Sequence, residues 1–319
     1  MSTYLVTGAT GFQGGAVVTE LLAAGMNVHA VVRNKSSPAA IALQGRGVVL
    51  FEGTHENPDK VFREAAAGCT GLFFNPTIFD PEGAKSHAKA IIQACKAGAG
   101  ETLSSIVISS TYRTAEMGKN LHVTAEIHPF LEKYYASKVE VEAAVRDSRI
   151  RHITILRAPV LNYDYLLPTS AKPSAPFPQL PRSGTLTTSL NEGLTMPHLD
   201  ENDIGKFATA ALLNPAKFSG HEIELAGGNL SPADIRDILV EVSGIELRLH
   251  KRTAEELEDS KDREFFQVFE LLTNRIPCTI DVAALEEKYG IKLTRFEQYL
   301  RRNKDKLIDS LPPRSMAAF

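Results

Sequence analysis

Cysteine is scarce in this chain: Cys69, Cys95 and Cys278 are scattered along 319 positions. An odd, dispersed set gives no disulfide framework and points to a reducing compartment. An excess of charge of one sign is also missing. With 35 Lys and Arg against 38 Asp and Glu, the formal net charge is −3, which gives no electrostatic footing for a nucleic-acid partner. No apolar run approaches the ~20 residues that cross a bilayer, so no membrane association is expected. The nine histidines form neither an H-E-x-x-H pair nor a Cys/His cluster with metal spacing, so no metal is expected. The G-x-S-x-G elbow of serine nucleophiles is absent too. The chain enters a strand at Tyr4 with no signal-peptide pattern before it, and a cytoplasmic location is the expectation.

What is present begins at once. Tyr4, Leu5 and Val6 are apolar and strand-like; Gly8, Gly11 and Gly14 follow at three-residue steps; Ala16, Val17, Val18, Leu21 and Leu22 then mark a helix. A strand feeding a glycine turn that opens a helix is the arrangement that holds a dinucleotide pyrophosphate, with the helix's free amides and positive dipole end facing the anion. Thr10, Phe12 and Gln13 fill the same turn and are counted with the glycines as cofactor-binding candidates. Gly25 stands where a C-cap belongs. Met26–Val32 reads as a second buried strand ending at Arg33. An acidic residue here would hold a ribose 2′-hydroxyl, whereas an arginine accommodates a 2′-phosphate; alternatively, Arg33 is a solvated loop cation. The preceding glycines favour the phosphate, and hence NADP(H).

Further strands are expected at 47–51, 70–75, 104–109 and 151–157, with helices between them, including 60–67 and 83–97. This alternation predicts an α/β fold with a doubly wound, mainly parallel sheet. Residues 1–157 form the dinucleotide-binding domain in this reading. Residues 158–319 form a smaller α/β part with a substrate-specificity role, some of whose segments return to the sheet. Within it, 163–184 is rich in proline and serine and reads as too polar and too proline-broken for a core element, leaving a lid, a pocket wall or a linker. A helix over 202–213, a strand over 222–226 and a helix over 232–242 capped by Ser231 follow, with Thr253/Glu256 and Thr294/Glu297 as further capping boxes. Loop histidines His122, His128 and His198 are taken as solvated or pocket-lining.

For acid–base chemistry, Tyr134 and Lys138 lie four apart on a helix expected over 132–146, and so share one face. An ammonium close to a phenol favours the phenolate, so Tyr134 could pass a proton to a substrate oxygen. Ser109, Ser110 and Thr111 fall at the carboxyl end of the fifth strand, the edge where open α/β sheets bind ligands. Ser110 is the chosen hydroxyl to orient that oxygen. Asn75, Pro76 and Thr77 follow the fourth strand, as a simple turn or, for Asn75, as a cofactor contact.

The TGATGFQG turn and the run Tyr134-Tyr135-Ala136-Ser137-Lys138 resemble the short-chain dehydrogenase/reductase superfamily in its extended or atypical branch. More narrowly, TGATGFQGGAVVTELL followed by VVRN, together with LRAPVLNY and MPHLDENDIGKFATAAL, resembles the NmrA-like family over about the first 230 residues. The resemblance implies a Rossmann fold, NADP(H) in the N-terminal domain, Lys138 holding the nicotinamide ribose, and one of two functions. One is an NADPH-dependent reductase acting on a ketone or enone of a small aromatic or polyketide-like secondary metabolite. The other is a non-catalytic NADP(H)-sensing regulator that binds a protein partner. A homodimer fits either. The Tyr-x-x-x-Lys pattern leans toward the enzyme. Gly53-Thr54 departs from the Gly-Asp that related proteins often carry after the third strand.

Overall fold

The computed structural model describes residues 1–54, 58–76, 81–260 and 262–313; Thr77 lies outside them. Strands and helices alternate from the start: β1 (Thr3–Val6), α1 (Phe12–Ala23), β2 (Asn27–Val32), α2 (Pro38–Gly45), β3 (Val49–Glu52), α3 (Pro58–Ala66), β4 (Cys69–Phe74) and α4 (Pro81–Ala99). Next come β5 (Ser105–Thr111), α5 (Thr114–Met117), α6 (Leu121–Ile127), α7 (Pro129–Arg146), β6 (His152–Ala158) and β7 (Val160–Leu161). These are followed by α8 (Leu180–Ser183), β8 (Thr185–Thr188), β9 (Met196–Leu199), α9 (Glu201–Leu213), α10 (Pro215–Phe218) and β10 (Glu222–Glu224). The last part holds β11 (Gly228–Leu230), α11 (Pro232–Ser243), β12 (Arg248–Lys251), α12 (Ala254–Ser260), α13 (Gln267–Arg275), α14 (Val282–Tyr289), α15 (Phe296–Arg302) and α16 (Lys304–Asp309). Among the described residues no helix is long and apolar enough to cross a membrane.

The chain divides into two compact units. The first is Met1–His122, Glu132–Ala158 and Glu201–Glu224; the second is Val123–Leu131, Pro159–Asp200 and Leu225–Phe319. The first holds a seven-stranded sheet in the order β10-β6-β5-β4-β1-β2-β3, parallel throughout. Strands covered on both faces need apolar residues at successive positions, and Leu5-Val6, Leu72-Phe73-Phe74 and Ile106-Val107-Ile108 supply them, all fully buried. On one face Leu72, Ile106 and Ile108 pack with α3, α4 and α7. On the other α1 packs on α9, and Leu212 of α9 crosses the backbone at Gly71. The sheet grows outward from β1 in both directions, so the β1/β4 boundary is the topological switch point where ligands of such sheets bind.

The second unit contains the three-stranded sheet β11-β9-β7 and the parallel pair β12-β8. Its core gathers Tyr165, Phe177, Leu186, Leu239, Phe296 and Leu300. The proline-rich stretch 163–184 departs from the sequence expectation in reaching the core, while of the lid, pocket-wall and linker readings Tyr165 and Phe177 fit the pocket wall, since both line a small cavity of this unit. The prolines exclude long helices and strands, but Tyr165 and Phe177 are buried and anchor the stretch in this core. Ser231 caps α11 in a capping box with Asp234, and Thr253 and Glu256 form theirs. The box expected at Thr294/Glu297 is displaced by one residue: Arg295 is the N-cap of α15, and its backbone N–H donates to Gln298 Oε1 at 3.0 Å.

Candidate active site

The glycine turn runs from the carboxyl end of β1 into α1. Gly8 takes φ +64°, a left-handed conformation that only glycine adopts without strain. The Gly11 N–H closes the turn onto Gly8 O at 2.9 Å. Gly14 is required for a different reason: a Cβ there would lie 2.3 Å from Gly8 O. Gly11 is the N-cap of α1 with no side-chain cap, and the first turn carries no acidic residue. The leading N–H groups of a twelve-residue helix thus face an exposed turn in which Thr10, Gly11 and Phe12 are open to solvent. This fits an anionic pyrophosphate.

Thr7, which the sequence reading passed over, ties this turn to the next strand. Its N–H donates to Phe73 O at 3.0 Å and its hydroxyl to the same oxygen at 3.2 Å, while the hydroxyl accepts the Asn75 N–H at 2.7 Å. Asn75 is thereby fixed at the switch point, with its amide nitrogen 3.6 Å from where a Gly8 Cβ would sit. Gln13 is held as well, since Ser109 Oγ at the end of β5 donates to Gln13 Oε1 at 2.6 Å. Arg33 stands exposed directly after β2. Asn34, Lys35 and Ser36 follow it, all exposed, and the exposed Glu52 carboxylate at the end of β3 accepts the Lys35 backbone N–H at 2.8 Å.

Of the adjacent tyrosines on α7, Tyr134 is half-buried and Tyr135 fully buried. Burial pushes the Tyr135 phenol well above its ordinary value, and its hydroxyl has no hydrogen-bond partner among the described residues. The two rings meet edge-on, with centroids 5.4 Å apart. Tyr134 Oη shares a 2.7 Å hydrogen bond with Thr111 Oγ1, and Lys138 Nζ lies 5.5 Å from the centre of the Tyr134 ring. Loss of hydration lowers the Lys138 ammonium to about 8, with the charge of Glu142 opposing the shift.

The hydroxyl paired with Tyr134 is that of Thr111, whereas the expected Ser110 hydroxyl is engaged elsewhere. β5 continues through Thr111, two residues beyond the expected end, and alternation sends Ser110 to the same side as Ile106 and Ile108. There its hydroxyl donates to Glu142 Oε1 at 2.6 Å. Glu142 was also missed, although its spacing from Lys138 and Tyr134, four and eight residues on, put it on their helical face.

The second unit has a small cavity, lined in part by Tyr165, Phe177, Met196, His198, Phe266 and Glu270. Its polar groups already satisfy one another. Tyr165 Oη pairs with His198 Nε2 at 2.7 Å, His198 Nδ1 with Met196 O at 2.8 Å, and Glu270 accepts the Ser189 N–H at 2.8 Å and the Thr188 hydroxyl. Burial lowers His198 to about 4 and raises Glu270 to about 7. His198 is thus a neutral core residue, not a solvated one.

Sheet order, switch point and glycine turn define a Rossmann-type α/β protein. The model of the NmrA-like family matches residues 1–300. The chain belongs to that family. Among curated proteins, a dihydroflavonol 4-reductase of Hordeum vulgare is 32% identical over 122 residues, a match spanning 34% of this chain and only 34% of that relative's length. Among solved structures, Nmra, a negative transcriptional regulator, is similar with a TM-score of 0.72 at 19% identity, over 98% of this chain and 99% of that one. Citrobacter sp. triphenylmethane reductase complexed with NADP(H) gives 0.71 at 19% identity, over 95% and 99%. At these identities the structural likeness shows the fold alone.

Proposed function

We propose that the chain is an NADPH-dependent reductase that transfers hydride to a ketone or enone of a small aromatic molecule. The observation that carries this reading is the Tyr134–Thr111 hydroxyl pair, 2.7 Å apart at the carboxyl end of β5, with Lys138 beside the Tyr134 ring. Gly8, Thr10, Gly11, Phe12, Gln13 and Gly14 would hold the pyrophosphate, Arg33 the 2′-phosphate, Asn75 the adjoining part of the cofactor, and Lys138 the nicotinamide ribose. When bound, the nicotinamide supplies the hydride. Tyr134 donates the proton to the substrate oxygen, Thr111 orients that oxygen, and the Lys138 charge stabilises the phenolate left behind. The second unit selects the substrate in this reading. The names of the two related reductases, for a dihydroflavonol and for triphenylmethane dyes, support an aromatic substrate.

The likeness to Nmra along nearly the whole chain favours a second reading, an NADP(H)-sensing regulator that binds a protein. A panel of aryl ketones, enones and quinones, assayed for NADPH oxidation and for deuterium transfer from labelled NADPH, separates the two. Deuterium in the product supports the reductase. No oxidation with any substrate, similar affinities for NADP+ and NADPH, and a cofactor-dependent pull-down partner would support the sensor. The Arg33 assignment has its own test, R33S read by calorimetry. NADPH affinity falls about tenfold or more while NADH affinity holds, because only the 2′-phosphate loses a charge-assisted donor. Equal losses for both cofactors would remove Arg33 from phosphate recognition.

A further inference from the structure

One strongly held group remains without a role: the Glu142 carboxylate. It lies one turn beyond Lys138 and two beyond Tyr134 on the same face of α7, with its side chain 1% exposed. Ser110 Oγ and Arg157 Nε donate to Oε1 at 2.6 and 2.9 Å. Arg157 Nη2 and Arg146 Nη2 each donate to Oε2 at 2.8 Å. Four donors fix both oxygens, so the carboxylate cannot rotate away from the helix face it shares with Lys138. Around this pair, Glu222 of β10 accepts from both arginines. Glu224 pairs with Arg157 at 3.3 Å and accepts the Arg113 backbone N–H at 2.9 Å.

Burying an ion network costs desolvation that a packed apolar cluster of the same volume avoids. The network therefore asks for a reason beyond stability. Resting on the reading of Lys138 as the partner of Tyr134, we infer that Glu142 is a positioning residue that keeps Lys138 charged, with Ser110, Arg146 and Arg157 fixing the direction of its carboxylate. Lys138 has lost enough water for its ammonium to weaken, and Glu142 is the charge that opposes this loss. Tyr134, Tyr135 and Arg146 on α7, Arg157 on β6, Glu222 and Glu224 on β10, and Tyr112 and Arg113 after β5 are other titratable groups of the surround. None of the cations among them can replace Glu142, because each repels the ammonium. Ser110, whose hydroxyl is engaged with Glu142, acquires its role here.

The test reads Lys138 without turnover. The whole protein is reductively methylated with ¹³C-formaldehyde, and the dimethylammonium resonance missing from K138M is titrated by NMR. E142Q should lower its midpoint by about one pH unit, and S110A, which keeps the charge, should hold it within about 0.3. Because E142Q leaves Arg157 with one partner fewer, the paired variant E142Q/R157Q is titrated alongside. Losing Arg157 alone can only raise the Lys138 midpoint, so a fall in the pair isolates Glu142. A midpoint unmoved or raised in E142Q overturns the inference, as does an E142Q/R157Q protein that titrates no lower than R157Q alone. Unchanged turnover in Y134F would instead overturn the reductase reading and leave the Glu142 result standing.

Discussion

Tyr134→Phe binds NADPH within about twofold of the wild-type affinity and reduces substrate about 10²–10⁴ times more slowly, the range expected when a positioned proton donor is removed. The substitution is clean because of what the ring touches. Phenylalanine keeps the edge contact with Tyr135 and the face turned to Lys138, both of which involve ring carbons. Oη and its bond to Thr111 are lost. Thr111→Val, which preserves the β-branched shape in the strand, should cost about a hundredfold, because an orienting hydroxyl acts on the transition state. Ser110→Ala should cost only a few-fold, acting through Glu142. If S110A is the slower of the two hydroxyl variants, the assignment of Thr111 fails. The pH profile follows from the same geometry. With the Lys138 ammonium lowered to about 8 by lost hydration, its proton is present below that pH and lost above it. Reduction should therefore fall as pH rises through about 8, and a rate flat from pH 6 to 9.5 would separate Lys138 from the chemistry.

These residues also show what a sequence can disclose. The glycine turn was legible because Gly8 and Gly14 satisfy backbone requirements that no other residue type meets, so composition and spacing carry the geometry. The strands were legible in the same way, as apolar runs that must be covered on both faces. The 3.6-residue period put Tyr134 and Lys138 on one helical face, but a Tyr and a Lys four apart are common, and it was the resemblance to the Tyr-x-x-x-Lys run of the superfamily that singled the pair out. Choosing among Ser109, Ser110 and Thr111 was different in kind. Period two puts neighbours on opposite faces, and a strand that runs two residues further than expected changes which hydroxyl stands at the edge. Nothing local in SST reveals where the strand stops. The burial of Tyr165, Phe177 and His198 was hidden for a related reason. Prolines announce the absence of long elements, but not whether the irregular chain between them lies on a surface or in a core.

Gly14→Ala should cost roughly 3 kcal/mol of stability, lower the Tm by roughly 5–10 °C and weaken NADPH binding more than tenfold. The reason is local and rigid. The added methyl would stand 2.3 Å from Gly8 O and 2.8 Å from Ala9 N, and both are backbone atoms that no rotamer change can move aside. Relief requires the turn to open, which carries Gly8 away from the helix terminus and pulls on the Thr7 hydroxyl that fixes Asn75. Stability and binding should fall together for that reason. Gly8→Ala is the contrasting case. Its methyl would meet nothing nearer than the Asn75 amide nitrogen at 3.6 Å, so its cost is the left-handed conformation alone, about 1–2 kcal/mol. Thermal unfolding and NADPH titration of both variants check the order. A Gly14→Ala protein that melts like the wild type, or binds NADPH better than Gly8→Ala, would show that the close approach of Gly14 to Gly8 is not what shapes the turn.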